Sequence, residues 1–136
     1  MKIVLDEGAK MPEFAHTRDG GMDLFAAERK VIRAGDFETI ETGVHIQIPR
    51  GYVGLITSKS GLMGNHGLTC RGTIDEGYTG SIKAVLFNHS RKDYIVKKGD
   101  KVTQIVIVEC LHPKLELVDS LEETDRGDGG FGSTGR

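Results

Sequence analysis

The chain has 136 residues, 38 % of them hydrophobic, which is enough to bury one core and argues for a single domain. Eighteen basic and twenty acidic side chains are interspersed to a net charge of −2, so no basic stripe is present to release counterions from a polymeric nucleic acid; a single nucleotide, which needs only a few gathered cations and N–H groups, stays open. Nineteen glycines, three prolines and 6 % aromatics predict short elements joined by many turns.

In chain order, strands are expected at Lys2 to Leu5, Val44 to Ile48, Val53 to Ile56, Ser81 to Phe87, Tyr94 to Val96, Val102 to Val108 and Leu115 to Val118. The clearest is Val44-His45-Ile46-Gln47-Ile48, whose alternation puts three branched side chains on one face and two polar ones on the other. Clusters such as Pro49-Arg50-Gly51 and Lys98-Gly99-Asp100 turn the chain between runs. Only Ser60 to Asn65 reads as a brief helix, so nothing supplies the crossover helices of a parallel sheet. Seven or eight short strands point to an all-β sandwich, jelly roll or barrel. Cys70 and Cys110, 40 residues apart, read as reduced thiols; no apolar leader occupies Met1 to Lys10, and no run is long enough to span a membrane as a helix. A soluble, cytoplasmic protein is expected.

The composition changes after Asp125. Residues 127–136 hold five glycines with one phenylalanine, too few apolar side chains to pack as core, but suited to a segment that orders over a ligand and lets N–H groups approach phosphate. Gly127-x-Gly129-x-x-Gly132 matches the dinucleotide fingerprint only formally, because no helix can follow it; Gly54 to Ser60 lacks the second glycine of a phosphate-binding loop. Arg126-Gly127-Asp128 and the sequon Asn88-His89-Ser90 would need export to have meaning. His66 and Cys70 lack neighbouring partners for a metal.

Five blocks remain: Gly20-Gly21-Met22-Asp23-Leu24-Phe25-Ala26-Ala27, Ser58-Lys59-Ser60-Gly61-Leu62, Gly72-Thr73-Ile74-Asp75-Glu76-Gly77-Tyr78-Thr79-Gly80, Gly99-Asp100-Lys101-Val102-Thr103-Gln104-Ile105, and the tail from Arg126 to Gly135. In order and spacing the set resembles the five motifs of the trimeric dUTPases. That resemblance implies a jelly-roll-like, distorted β-barrel over residues 1–125 and a flexible arm, 126–136, closing the active site, usually of another subunit of a homotrimer. It implies attack of water on the α-phosphorus of dUTP, with Mg2+ carried on the triphosphate without a direct protein ligand.

Under the same resemblance Asp75 is the base that activates the water, where the residues alone would also allow an Asx turn. Asp23 acts through metal-bound waters, against a capping or turn role. Tyr78 packs on the deoxyribose, against an ordinary strand-edge aromatic. A hairpin from Leu68 to Ile74, with Thr69, Gly72, Thr73 and Ile74 in contact, reads uracil through its backbone, although Arg71 is bulkier than the family's usual residue at the turn. Ser60, Gly61 and Lys59 meet the phosphates, with Lys59 standing where relatives carry arginine, so a planar fork is replaced by a point charge. Gln104 and Lys83 join the substrate-binding set, Phe131 stacks on the uracil, and Arg126, Gly132, Ser133 and Thr134 hold the terminal phosphates. A dCTP deaminase or bifunctional relative on the same fold, and a non-enzymatic dUTPase-like regulator, are the alternatives. Completeness of the five blocks favours the hydrolase.

Overall fold

The computed structural model describes residues 1–130. Eleven strands and one helix occupy them: β1 (Lys2–Leu5), β2 (Met22–Phe25), β3 (Lys30–Ile32), β4 (Phe37–Glu41), β5 (Val44–Gln47), β6 (Tyr52–Thr57), α1 (Ser60–His66), β7 (Leu68–Thr69), β8 (Arg71–Ile74), β9 (Lys83–Asn88), β10 (Tyr94–Val96) and β11 (Lys101–Glu109). All described strand pairs are antiparallel, in the sheet orders β2-β11-β6-β8, β4-β9-β7, β1-β5 and β10-β3. The fold is all-β and jelly-roll-like; its hydrogen bonding is divided among these four sheets rather than closed into one continuous barrel.

Alternation drives the core. In β9 the residues Ala84, Leu86 and Asn88 are buried while Lys83 and Phe87 face out. Leu24, Ile32, Ile40, Val44, Ile56, Leu68, Ile82, Leu86, Val96 and Ile105 are among the buried side chains that meet between the sheets. Burial of each such aliphatic group contributes about 1.5–3 kcal/mol. Gly54 in β6 serves this packing, because a Cβ there would lie 2.8 Å from Ile105 Cδ1.

Three strands escape the sequence reading. β2 is interrupted in its apolar pattern by a buried aspartate, β3 has three residues, and β4 (Phe-Glu-Thr-Ile-Glu) carries two glutamates. One expected strand fails: Leu115 to Val118 has no regular structure, and Leu115 and Leu117 are 95 % and 100 % exposed. Its side chains alternate as a strand requires, but no strand of the described chain pairs with it. The expected helix forms and runs one residue further, to His66, where Gly67 ends it at φ 67° and donates its N–H to the Leu62 and Met63 carbonyls.

Candidate functional site

The central sheet brings part of the expected site into one row. Asp23 of β2 lies opposite Gln104 of β11, Gln104 opposite Thr57 of β6, and Thr57 opposite Arg71 of β8. Just past Thr57 the chain leaves the sheet, placing Ser58 and Lys59 beside this row and Ser60 and Gly61 in the first turn of α1. Ser58 is fixed by a two-way bond with Cys70, its hydroxyl donating to the carbonyl and accepting from the N–H. Gln104 Nε2 donates to the Ser58 carbonyl at 3.4 Å.

Asp23 is the electrostatic centre of this group. Its carboxylate is 3 % exposed yet faces two ammonium groups: Lys59 bonds Oδ1, and Lys101 Nζ lies 2.7 Å from Oδ2. Burial by itself pushes the carboxyl up, but hydrogen bonds and charge from Lys101 and Lys59 outweigh it, leaving the group below the ordinary carboxylate value. Lys101 also reaches Glu13 at 3.2 Å, and Glu13 and Asp23 exchange backbone hydrogen bonds, so the segment before the first block is tied to β2. Neither Lys101 nor Glu13 was singled out from the sequence as a site residue. A lysine within a strand and a glutamate in a loop carry no periodic signal.

The third block lies elsewhere. Asp75 follows the last residue of β8, and its carbonyl accepts the Tyr78 N–H at 3.0 Å to close a turn. Thr73, Ile74, Asp75, Tyr78 and Lys83 line a hollow of about 260 Å³. Asp75 is exposed, Tyr78 Oη donates to the Ser81 carbonyl at 2.9 Å, and Lys83 pairs with Glu41 at 2.7 Å. That ion pair raises the Lys83 ammonium further above its usual value.

Register separates the two groups. Ile74 pairs with Gly54 and Arg71 with Thr57, so Asp75 stands four residues from the Asp23 row, about 13 Å along the strands and about 14 Å across three strand spacings. A base must come within about 3 Å of the proton it removes. Within one chain, Asp75 therefore cannot act on an atom held beside Asp23.

The expected hairpin from Leu68 to Ile74 is corrected. β7 pairs with β9 and β8 with β6, so the chain crosses between sheets at Cys70 rather than folding back, and Arg71 opens β8 opposite Thr57 instead of forming a turn tip. β8 is the terminal strand of its sheet, leaving one backbone edge without a strand partner among the described residues. Beside it lies a groove of about 530 Å³ lined by residues including Ser58, Thr69, Arg71, Gly72 and Thr73. Cys70 and Cys110 are free thiols, and burial pushes that of Cys70 up, away from reactivity.

In the tail, Arg126 is exposed and its Nε donates to Gly129 within the same segment. Phe131, Gly132, Ser133 and Thr134 lie outside the described residues. Among those described, no three His, Cys, Asp or Glu side chains gather as a metal cluster, and no helix is long and apolar enough to cross a membrane.

Deoxyuridine 5'-triphosphate nucleotidohydrolases of Clostridium acetobutylicum and Alkaliphilus metalliredigens are 45 % and 46 % identical to the chain, covering 96 % and 93 % of it and 92 % and 90 % of those proteins. The structure of the Staphylococcus bacteriophage 80alpha dUTPase with dUpNHpp superimposes with a TM-score of 0.93 at 32 % identity, covering 99 % of this chain and 98 % of that one. A mutant dUTPase from phage phi11 of S. aureus, described with a structural Mg(II) ion, gives a TM-score of 0.83 at 32 % identity over 90 % of this chain and 98 % of that one. The dUTPase family profile matches residues 7–135, and with whole-length relatives at this identity the chain belongs to the dUTPase family.

Proposed function

We infer that the chain hydrolyses dUTP to dUMP and pyrophosphate, limiting uracil incorporation into DNA and supplying dUMP for thymidylate synthesis. The single observation that supports this reading is that residues of the sequence blocks gather into two groups on a dUTPase fold, which we read as complementary half-sites. One half, Asp23, Lys59, Ser60, Gly61 and Gln104, gathers cations and donors suited to a triphosphate. The other, Thr73, Ile74, Asp75, Tyr78 and Lys83, gathers a carboxylate and an aromatic ring around a small hollow suited to a sugar and its α-phosphate.

Because the halves of one chain stand too far apart, each site is completed by a second copy, in a homotrimer. There Asp75 takes the proton of the attacking water as it adds to the α-phosphorus, and pyrophosphate leaves. Tyr78 lies against the deoxyribose. The free edge of β8, with Gly72 and the neighbouring Thr69, offers N–H and C=O groups to the uracil edge, and backbone readout of this kind is indifferent to the bulk of Arg71, whose side chain is exposed. Lys59 answers phosphate charge once it leaves Asp23.

The donor set fits a magnesium ion that arrives on the triphosphate: one buried carboxylate stands in the phosphate half. Asp23 would hold that ion through its waters, and the ion when bound supplies charge neutralisation along the phosphates. Residues 126–136 form the closing arm, with Phe131 over the base and Arg126, Gly132, Ser133 and Thr134 at the phosphates. The exposed Leu111, Leu115, Leu117 and Leu121 preceding it have no cover among the described residues, which supports passage of this segment across a neighbouring subunit. A cytoplasmic location, where deoxynucleotides are made, suits the activity.

With magnesium, the purified protein is expected to release pyrophosphate from dUTP far faster than from dCTP, dTTP or UTP. Asp75→Asn should lower kcat by about 10²–10⁴-fold. Ammonia release from dCTP would instead identify a deaminase, and nucleotide binding without turnover a regulator.

A further inference from the structure

Within the third block Gly77 and Gly80 flank Tyr78, and their surroundings differ. Gly77 has nothing within 4 Å of the place a Cβ would occupy. At Gly80 that place is filled by the Tyr78 ring: the built Cβ would lie 2.5 Å from Oη, 2.7 Å from Cζ and 3.0 Å from Cε2. Gly80 does not occupy the left-handed region, so backbone conformation is not what demands a glycine there. The space itself is what is used.

We propose that Gly80 is a specificity-determining position, whose missing side chain lets the Tyr78 ring lie back over the turn at the depth that admits a deoxyribose and refuses a ribose. This rests on the reading that Tyr78 meets the sugar. The ring is held from two sides. Its hydroxyl donates to the Ser81 carbonyl at 2.9 Å, and the Tyr78 N–H closes the turn on the Asp75 carbonyl at 3.0 Å. Its outer surface is 42 % exposed and borders the hollow shared with Asp75 and Lys83.

A methyl group at position 80 must displace the ring by about 1 Å to reach ordinary contact, and a displacement of that size is enough to alter a reacting geometry about 10²-fold. The half-exposed ring can swing outward without disturbing the buried core, so folding is spared while the sugar wall moves. The Ser81 bond is lost in the same movement.

The test compares kcat/KM for dUTP and UTP in the wild type, Gly80→Ala, Gly77→Ala, Tyr78→Phe and Tyr78→Ala, with thermal melts of each. Gly80→Ala is expected to melt near the wild type and to lower the dUTP:UTP ratio about tenfold or more. Gly77→Ala should keep the wild-type ratio, and Tyr78→Phe, which loses only the Ser81 bond, should fall between. An unchanged ratio in Gly80→Ala alongside a collapsed one in Tyr78→Ala would overturn the role of Gly80 while leaving the sugar reading intact. Equal losses in Gly77→Ala and Gly80→Ala would assign the effect to the turn as a whole and also overturn it. An unchanged ratio in Tyr78→Ala would remove the sugar reading and this proposal together.

Discussion

Asp23 has a structural role that stands beside the functional one proposed for it. Its carboxylate is taken out of water and answered by two ammonium groups, so removing its charge leaves Lys59 and Lys101 facing each other across a site they were drawn to. Asp23→Asn should therefore destabilise the fold by about 1–3 kcal/mol, below the cost of a fully buried pair because both lysines keep access to water. The folded-state value of Asp23 is depressed, so its contribution is complete above pH 3.8 and is lost as pH falls through the depressed value. Urea titrations of wild type and variant between pH 3 and 7, approximately, should show the gap closing toward the acid end; a constant gap would mean the charge is not what stabilises. Asp23 was legible in the sequence through its block, while its lysine partner Lys101 and the tether through Glu13 were not, because ion pairs between distant segments are set by register rather than by local pattern.

At the level of elements, β6 and β5 each depend on one unusual residue. Gly54→Ala would press a methyl group against Ile105 Cδ1 in the middle of the four-stranded sheet, and overpacking of this kind costs about 1–3 kcal/mol. A denaturation midpoint equal to the wild type would show that Ile105 can move aside. His45 of β5 bonds the Thr79 carbonyl through Nδ1 and approaches Asp6 through Nε2 at 3.2 Å, joining the first strand region to the loop that carries Tyr78. The Thr79 carbonyl first, then Asp6, raise its value above 6.5, so this clamp is fully present below pH 6.5 and fades as pH rises through the raised value. The melting temperature of His45→Gln should fall below that of wild type at acid pH and converge with it in mild alkali. The apolar alternation that revealed β5, β6 and β11 was readable because those strands are buried on one face. β2, β3 and β4 were hidden by a buried charge, by brevity and by glutamates at half-exposed positions, and the crossing at Cys70 was hidden because the resemblance implied a hairpin that the sheets do not form.

Two features of the whole molecule match the proposed assembly. Its leucine-bearing segment after β11 lies exposed, and its two half-sites face different surroundings. Deletion after Asp125 should leave a chain with the wild-type melt and β-type circular dichroism but without turnover; full activity in the truncation would remove the closing role of residues 126–136. The sequence blocks name the residues of both proposed halves in order, yet order along a chain says nothing of how far apart those residues stand. Their separation within one chain follows from the four-residue offset between Arg71 and Asp75 along β8.

The most direct test of this arrangement is complementation between two inactive variants. Asp75→Asn and Asp23→Asn are each expected to be inactive alone. Unfolded together in equal amounts, refolded and shown by mass spectrometry to have mixed, they should regain about a quarter of wild-type pyrophosphate release from dUTP, the share of sites that draw both intact residues from different copies. No recovery in verified mixed oligomers would place both carboxylates of a site in one chain and contradict the account.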